Sequence, residues 1–246
     1  MSGLLGIGGG IVLVPAMVFL LGMSQHQAHG TSLAVISFVV LLSAAFYGLH
    51  GQVDWVVAME LAIGGVVGAA IGARLACLSS ARQLRKYFGL FLIAIAVRML
   101  FDVISSLSAG GSVELSQHAL TTTGLWRLLL VLGIGLATGI LSGLLGIGGG
   151  VLIIPAMILL LGMPQKLAQG ISLAVIIPVA VSGAVIHYRN GNVRLDNLKW
   201  LAISGVLGGL AGARVAIGLD PLVLRGLFAS LLVVLSVLML RYRREA

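Results

Sequence analysis

Apolar residues dominate the chain in long runs that are separated by short polar turns. The runs cover residues 11–23, 27–49, 55–76, 84–104, 125–145, 151–163, 167–188, 195–217 and 221–240. A helix of about 20 apolar residues spans a bilayer, whereas a run of about 13 does so only if it is tilted or buried in protein. The pattern therefore predicts an all-α membrane protein, a polytopic helical bundle that contains two unusually short helices.

A glycine-rich stretch of nine residues occurs twice and precedes both short runs. Residues 2–10 and residues 142–150 have the same sequence, Ser-Gly-Leu-Leu-Gly-Ile-Gly-Gly-Gly, and each is followed by a run that contains Pro15 or Pro155. Each glycine in a helix costs about 1 kcal/mol relative to alanine. Backbone that faces lipid cannot be left unpaired. We therefore predict a helix broken at each cluster and enclosed by protein.

The whole chain matches itself when it is shifted by 140 residues, from Ser2 against Ser142 to Leu100 against Leu240. A period of this length indicates a duplicated half rather than a solenoid. We predict a first repeat at 1–105, a connector at 106–124 and a second repeat at 125–246. The first repeat lacks a counterpart of 125–141, because Met1 aligns with Leu141. We expect this first helix to lie upstream of Met1.

Basic residues define the predicted orientation. The positive-inside rule places Lys-rich and Arg-rich loops in the cytoplasm. These residues lie in one loop of the first half, in a different loop of the second half and at the C-terminus: Arg74, Arg82, Arg85, Lys86, Arg189, Arg194, Lys199, Arg241, Arg243 and Arg244. The bias predicts inverted-topology repeats in the cell inner (plasma) membrane, with the C-terminus cytoplasmic. Arg214 and Arg225 do not fit this assignment.

Composition limits the classes of function. Hydrophobic residues make up 59% of the chain and charged residues 9%, against about 25% charged in soluble domains, so the surface lies in lipid. The net charge of +8 is explained by topology, and we predict no nucleic-acid partner. One cysteine and no metal-ligand spacing predict no metal and no cofactor. The absence of dinucleotide and phosphate-loop motifs predicts that the chain is not an enzyme and is not coupled to ATP.

The glycine clusters are the first candidate binding site. A helix that begins at Gly10 or Gly150 has unpaired N–H groups and a positive dipole end, which favour an anion. The alternative is that the glycines only allow tight helix crossing. We predict substrate contacts from six glycines and three nearby hydroxyls, although these hydroxyls suit local capping equally well. The residues are Gly8, Gly9, Gly10, Gly148, Gly149, Gly150, Thr31, Ser32 and Ser172.

Ionisable residues inside apolar runs are the second set of candidates, because they are costly in a membrane. Glu60 is a candidate proton relay, with pairing or snorkelling as the alternatives. Arg98 and Asp102 are one turn apart and predict a local ion pair. Gln25 and Gln165 occupy equivalent positions and are interpreted as turn residues. The glycines between Gly64 and Gly72 are spaced for close helix packing.

Inverted repeats, broken helices and a site between the halves are typical of secondary transporters. The leading hypothesis is therefore an ion-gradient-driven permease for a small anion, since seven acidic residues are few for a cation pathway. The coupling ion expected is H⁺, and the oligomeric state is not predicted. Two other classes stay open: a passive anion channel, and a membrane assembly protein that does not transport.

The sequence also resembles the sulfite exporter TauE/SafE family. The resemblance lies in the two glycine clusters with their following prolines, in Gly30-Thr31-Ser32-Leu33 with its second copy at 170–173, and in residues 188–193. It implies an inner-membrane permease for small sulfur-containing anions, such as sulfite or organosulfonates. Ile171 stands where the first copy has Thr31, so the two half-sites are not equivalent.

Overall fold

The computed structural model describes residues 2–76, 81–108, 125–145, 149–196 and 198–241. These residues form ten α-helices and no strand. The helices are α1 Ser2–Leu5, α2 Gly10–Leu21, α3 Gln25–Leu49, α4 Trp55–Ala76, α5 Ala81–Ser108, α6 Leu125–Leu145, α7 Gly150–Leu161, α8 Gln165–Arg189, α9 Leu198–Gly218 and α10 Pro221–Arg241. The prediction of an all-α protein is confirmed.

Six helices of the described part are long and apolar enough to cross a membrane: His26–Leu49, Trp55–Gly72, Leu125–Ser142, Gln165–Arg189, Leu198–Gly218 and Pro221–Leu238. The two helices that follow the glycine clusters, α2 and α7, have 12 residues each. At about 1.5 Å per residue, each is about 18 Å long, well short of the hydrocarbon core. The chain is therefore a polytopic membrane protein with two short helices.

The equivalent helices α3 and α8 pack against each other in opposite directions. Gly30, near the start of α3, lies against the carbonyl oxygen of Asn192, just after α8. In return, Gly170 near the start of α8 lies against the carbonyl oxygen of Gln52, just after α3. This reciprocal contact defines two ends of the bundle, called here the Asn192 end and the Gln52 end.

A parallel pair, α4 and α6, is in close backbone contact along three successive turns. A Cβ added at Gly64, Gly68 or Gly72 would overlap a backbone carbonyl oxygen of α6, at Leu132, Leu136 or Ile140 respectively. Only glycine allows the two backbones to approach so closely. The prediction that these glycines serve helix packing is confirmed.

Helix α9, the repeat equivalent of α4, contacts the short α1 instead. Gly3 lies against Gly209 and Ala213, and a Cβ added at Gly212 would come 2.9 Å from the backbone nitrogen of Leu4. The contact covers only the part of α9 that is nearest the Gln52 end.

The other equivalent pair, α5 and α10, is joined by charge. Asp102 of α5 accepts hydrogen bonds from Arg98 in its own helix and, at 2.8 Å, from Arg225 of α10. The predicted pair of Arg98 and Asp102 is confirmed, and the structure extends it to the second half. Because Asp102 is near the end of α5 and Arg225 near the start of α10, these helices also run antiparallel.

Most of the basic segments meet at the Asn192 end. The end of α4, the start of α5, the turn after α8 and the end of α10 all lie there. Arg225 lies at the Gln52 end, where Lys166 Nζ also donates to the carbonyl oxygen of Ile217 at 2.6 Å. The structure thus groups the basic segments as the positive-inside argument requires. The side of the membrane and the inverted repeat stay predictions.

Helix boundaries differ slightly from those expected. Helix α5 extends to Ser108, three residues into the predicted connector, and α9 begins at Leu198 rather than at 195 because Leu195 and Asp196 belong to the preceding turn. The rest of the connector and Gly148 lie outside the described residues.

Candidate functional site

The short helices α2 and α7 are built in the same way from equivalent residues. Each contains one proline, Pro15 or Pro155. Each ends at a glycine with positive φ, Gly22 at 60° or Gly162 at 64°, whose N–H donates to a carbonyl oxygen of the last helical turns. Glycine adopts this left-handed conformation without steric cost, so it stops both helices after three turns.

The first turns of α2 and α7 also match. Val12 and Leu13 both donate to the carbonyl oxygen of Gly9, at 3.2 and 3.1 Å. Leu152 and Ile153 donate in the same way to Gly149, at 3.1 and 3.0 Å. In each helix, the N–H groups of the two residues before these donors come too early in the helix to donate within it, as expected of a helix N-terminus.

The backbone before these helices differs between the two copies. Gly6, Gly8 and Gly9 have positive φ values of 73°, 77° and 81°. Gly149, the equivalent of Gly9, has φ −62° and a right-handed helical conformation. Identical sequences therefore have different local structures at the residue that caps each short helix.

The two glycine clusters meet at mid-height of the bundle. A Cβ added at Gly150 would come 2.9 Å from Ile7 Cα and 3.0 Å from the carbonyl oxygen of Gly6. One added at Gly8 would lie 3.5 Å from both Ile36 and Ile176, which are central residues of α3 and α8. The first residue of α7 thus packs against the break that precedes α2.

The predicted hydroxyl groups are divided between this crossing and one end of the bundle. Ser172 Oγ is at the crossing and donates to the carbonyl oxygen of Gly6 at 2.9 Å. Thr31 lies toward the Asn192 end, where its Oγ1 accepts from the backbone N–H of Arg194 at 3.0 Å. Ser32 Oγ donates to the carbonyl oxygen of His29 at 2.9 Å, within its own helix. The structure therefore brings Ser172, but not Thr31, to the glycines.

Two buried residues that the sequence reasoning missed, Tyr47 and Gln169, lie beside the crossing. Tyr47 Oη is 2.9 Å from the carbonyl oxygen of Gly3 and 3.1 Å from Gln169 Oε1. Gln169 is also in contact with Gly6, whose added Cβ would come 2.9 Å from Gln169 Cβ. The sequence signal that could have identified both residues is that each is a polar side chain within an apolar run.

Several buried polar atoms near the crossing have no hydrogen-bond partner among the described residues. They include Gln169 Nε2 and Ser2 Oγ, and both side chains are more than nine-tenths buried. Ser2 adjoins Gly9, since a Cβ added there would lie 3.4 Å from Ser2 Cβ. Buried polar groups are normally satisfied, so these two atoms have the capacity to bind water or a polar ligand at the crossing.

The interpretation of Gln165 as a turn residue is wrong. Gln165 is the first residue of α8, its side chain is buried, and neither its Oε1 nor its Nε2 has a partner in the described part of the chain. Its equivalent Gln25 likewise begins α3.

Glu60 faces α6 across the close α4–α6 contact. Its Oε1 is 4.0 Å from Arg127 Nη1, while its Oε2 is buried and has no partner among the described residues. The contact with Arg127 agrees with the pairing alternative for one carboxylate oxygen of Glu60, while the other oxygen is left without a partner in the described part of the chain. The proton-relay role of Glu60 stays a prediction. Within the described residues, no group of three His, Cys, Asp or Glu side chains has an arrangement that fits a metal ion.

An all-α membrane protein with short, broken helices that meet at its centre belongs to the class of polytopic membrane transporters. Comparison with known proteins specifies the family. The family model described as "Sulfite exporter TauE/SafE" matches residues 1–99 and 131–246. The chain therefore belongs to the TauE/SafE family of membrane transporters.

Individual relatives agree with this assignment. The chain is 32% identical to the probable membrane transporter protein YunE of Bacillus subtilis, over 86% of this chain and 82% of the relative. It is 30% identical to a probable membrane transporter protein of Xylella fastidiosa, strain Temecula1, over 93% and 81%. It is 27% identical to the probable membrane transporter protein MJ0441 of Methanocaldococcus jannaschii, over 98% and 90%. No solved structure gives a significant match.

Proposed function

We propose that the chain is a secondary transporter for small anions, sulfur oxyanions or organosulfonates such as sulfite, and that an ion gradient drives it. The anion binds at the crossing of the two glycine clusters. Its binding groups are the first amides of α2 and α7, the Nε2 of Gln169 and the hydroxyl group of Ser2, while Ser172 donates to the carbonyl oxygen of Gly6 and holds the break in place. Gly8, Gly9, Gly10, Gly149 and Gly150 allow it to approach the backbone.

The observation that carries this proposal is the set of unpartnered donors at the crossing. Ser2 Oγ and Gln169 Nε2 are buried and have no hydrogen-bond partner among the described residues, and they adjoin Gly9 and Gly6. An unsatisfied buried polar group costs about 1–3 kcal/mol. An oxyanion supplies several acceptor oxygens at once, and the positive dipole end of a helix favours its charge.

The small size of the anion follows from the packing at the crossing. Ile36 and Ile176 are in van der Waals contact with the place that a side chain on Gly8 would occupy. These contacts leave no room for a large anion beside Gly8, so the proposed substrate is a compact one. The description of the family as sulfite exporters supports the choice of sulfur oxyanions.

The direction of the bundle in the membrane completes the proposal. The Asn192 end carries most basic residues and faces the cytoplasm, with the C-terminus on that side of the inner membrane. The two repeats are inverted with respect to each other, as the antiparallel packing of α3 with α8 supports. The coupling ion is H⁺.

Transport by the purified protein in proteoliposomes tests this function. The anions to compare are sulfite, thiosulfate, sulfate, taurine and sulfoacetate, each with and without a proton gradient. We expect one or more of them to accumulate against its concentration gradient only when the proton gradient is present. Flux that merely equalises concentrations would indicate a channel, and absence of flux for every anion would favour an assembly protein.

A substitution at Gln169 tests the site. Gln169→Glu keeps the shape of the side chain but places a negative charge beside the crossing. Hydrogen bonds to charged groups contribute about 1.5–3 kcal/mol, so we expect KM for the anion to rise about tenfold or more. Ser204→Ala, on an exposed part of α9, is the control and should leave KM unchanged. An unchanged KM in Gln169→Glu would exclude this site.

A further inference from the structure

The internal repeat relates two polar contacts at opposite ends of the α3–α8 pair. Tyr47 lies 140 residues before His187, and Gln169 lies 140 residues after His29, so the repeat makes them equivalent. Tyr47 and Gln169 form a hydrogen bond toward the Gln52 end. Their equivalents His187 and His29 lie together at the Asn192 end. A Cβ added at Gly30 would come 2.9 Å from His187 Cβ, and the imidazoles of His29 and His187 interact electrostatically.

These equivalent contacts differ in chemistry. A tyrosine and a glutamine stay neutral across physiological pH, whereas an unperturbed imidazole changes charge near pH 6.5, between about pH 5 and 8. Two adjacent imidazoles repel each other when both are protonated. The repeat therefore places a titratable pair at one end of α3–α8 and a neutral pair toward the other.

The surroundings of the histidine pair leave it accessible to protons. His187 Nδ1 is buried and has no hydrogen-bond partner among the described residues. His29 and His187 are each half-buried, so protons can reach them from the Asn192 end. A second histidine, His26, also acts electrostatically on His29 and is another potential cation.

Other charged groups near the pair are mainly basic. The end of α8 and the turn after it carry Arg189, Arg194 and Asp196, and Asp196 pairs with Arg194 at 4.0 Å. Lys199 begins the helix α9 that packs on α3, and Arg74 is near the end of α4. Asp196 is the single acidic residue of the described part at this end, so no free carboxylate neutralises a doubly protonated pair.

We propose that His29 and His187 form the proton-binding site that couples the proton gradient to anion movement. When both imidazoles are protonated, their repulsion separates the start of α3 from the end of α8. This separation opens the Asn192 end toward the crossing, because the same two helices carry Ile36 and Ile176 against Gly8. Loss of a proton lets the contact close again. The transport part of this inference rests on the function proposed above.

Titration of the histidines tests the pair without any transport. Imidazole signals are followed by NMR between pH 5 and pH 8 in the purified protein in lipid nanodiscs, and are assigned by single substitutions of each histidine. We expect His29 and His187 to titrate in two coupled steps, and each to titrate in a single step when the other is replaced. Independent single-step titrations of both residues in the unsubstituted protein would overturn the proposal, whether or not transport is found.

A double substitution tests coupling. His29→Gln with His187→Tyr installs the residues that the repeat already uses at the equivalent Gln169 and Tyr47, so it replaces a titratable pair by one that packs in this fold. One pH unit corresponds to about 1.4 kcal/mol, or about a tenfold anion gradient for one coupled proton. We expect the double variant to exchange anion across the membrane but to lose this gradient, and its exchange rate to become independent of pH.

The control for the double variant is His50→Gln. His50 is exposed at the Gln52 end, and its Nδ1 lies 2.8 Å from the carbonyl oxygen of Phe46. The His50 variant should keep the full proton-driven gradient. A double variant that retains the gradient and the original pH profile overturns the coupling role of the histidines but leaves anion transport standing. If no variant and no unsubstituted protein moves any anion, the proposed function fails, and the NMR titration still decides on the pair.

Discussion

Helices α4 and α9 hold equivalent places in the internal repeat, but their neighbours differ. Gly64, Gly68 and Gly72 of α4 lie directly against the backbone of α6. In α9 the equivalent of Gly72, Gly212, contacts Leu4 of α1, whereas the equivalent of Gly68, Gly208, has nothing within 4 Å of where a Cβ would stand. The stripe of Gly64, Gly68 and Gly72 is therefore filled by a helix backbone, whereas at Gly208 the equivalent stripe of α9 is open.

The difference teaches that small residues permit close helix packing but do not create it. In lipid no hydrophobic effect drives two apolar helices together, so van der Waals contact between backbones provides much of the attraction. That attraction exists only where a second backbone is present along the full length of the stripe. The contribution of each glycine thus depends on its partner helix, and equivalent glycines in α4 and α9 respond differently to substitution.

The largest effect expected comes from Gly68→Leu. The added side chain would overlap the carbonyl oxygen of Leu136 and force α4 away from α6. Overpacking costs typically about 1–3 kcal/mol when side chains can move, and more is expected here because the obstacle is backbone. We expect little monodisperse protein after detergent extraction, as measured by size-exclusion chromatography.

The matched control for Gly68→Leu is Gly208→Leu in α9. Its new side chain enters open space, so extraction and thermal stability should stay close to those of the unsubstituted protein. Equal losses in the two variants would contradict the difference between α4 and α9.

A moderate effect is expected from Tyr47→Phe at the neutral polar contact of α3 and α8. The change removes the hydroxyl whose single proton lies within reach of two buried acceptors, the carbonyl oxygen of Gly3 and Gln169 Oε1. Unsatisfied buried groups cost about 1–3 kcal/mol, so Tm should fall. Tyr188→Phe, at a side chain that is 61% exposed, is the control and should leave Tm unchanged. Equal Tm values for both variants would show that the Tyr47 hydroxyl contributes nothing to stability.

The smallest effect expected distinguishes the two glycine clusters. Gly9→Ala places a Cβ on a left-handed residue with φ 81°, which costs about 1–2 kcal/mol. The matched Gly149→Ala has φ −62°, and its Cβ meets only the flexible end of Ile153 at 3.1 Å. We expect the first substitution to lower Tm more than the second. A larger loss for Gly149→Ala would mean that the conformational difference between the copies has no energetic consequence.

Much of the fold could be predicted from the sequence because the membrane restricts backbone to helices. The runs of apolar residues predicted nearly every helix to within a few residues, and three consecutive glycines predicted the starts of α2 and α7. The spacing of Gly64, Gly68 and Gly72 predicted a packing face. Local sequence did not reveal that the partner of this face is α6, because α4 and α6 are separated by α5 and the connector.

The candidate site was predictable only in part. Ser172 and the glycines do meet, as expected from the repeat, whereas Thr31 has a backbone partner at the Asn192 end. Tyr47 and Gln169 are more than 100 residues apart, and no local pattern relates them. Their contact exists because α3 and α8 pack in opposite directions, which is a property of the assembled bundle.

The sequence by itself determined the membrane class, the duplication and the two helix breaks, since hydropathy, repetition and glycine each act locally along the chain. The tertiary structure decided what the equivalent residues contact. Helix α6 covers the glycine stripe of α4, whereas α1 covers only part of the equivalent stripe of α9. One of the two identical glycine clusters has the left-handed conformation at Gly9. The tertiary structure also pairs Tyr47 with Gln169 and places His187 against Gly30, the residue after His29. Packing depends on residues that are distant in the chain, and therefore identical sequences reach different environments.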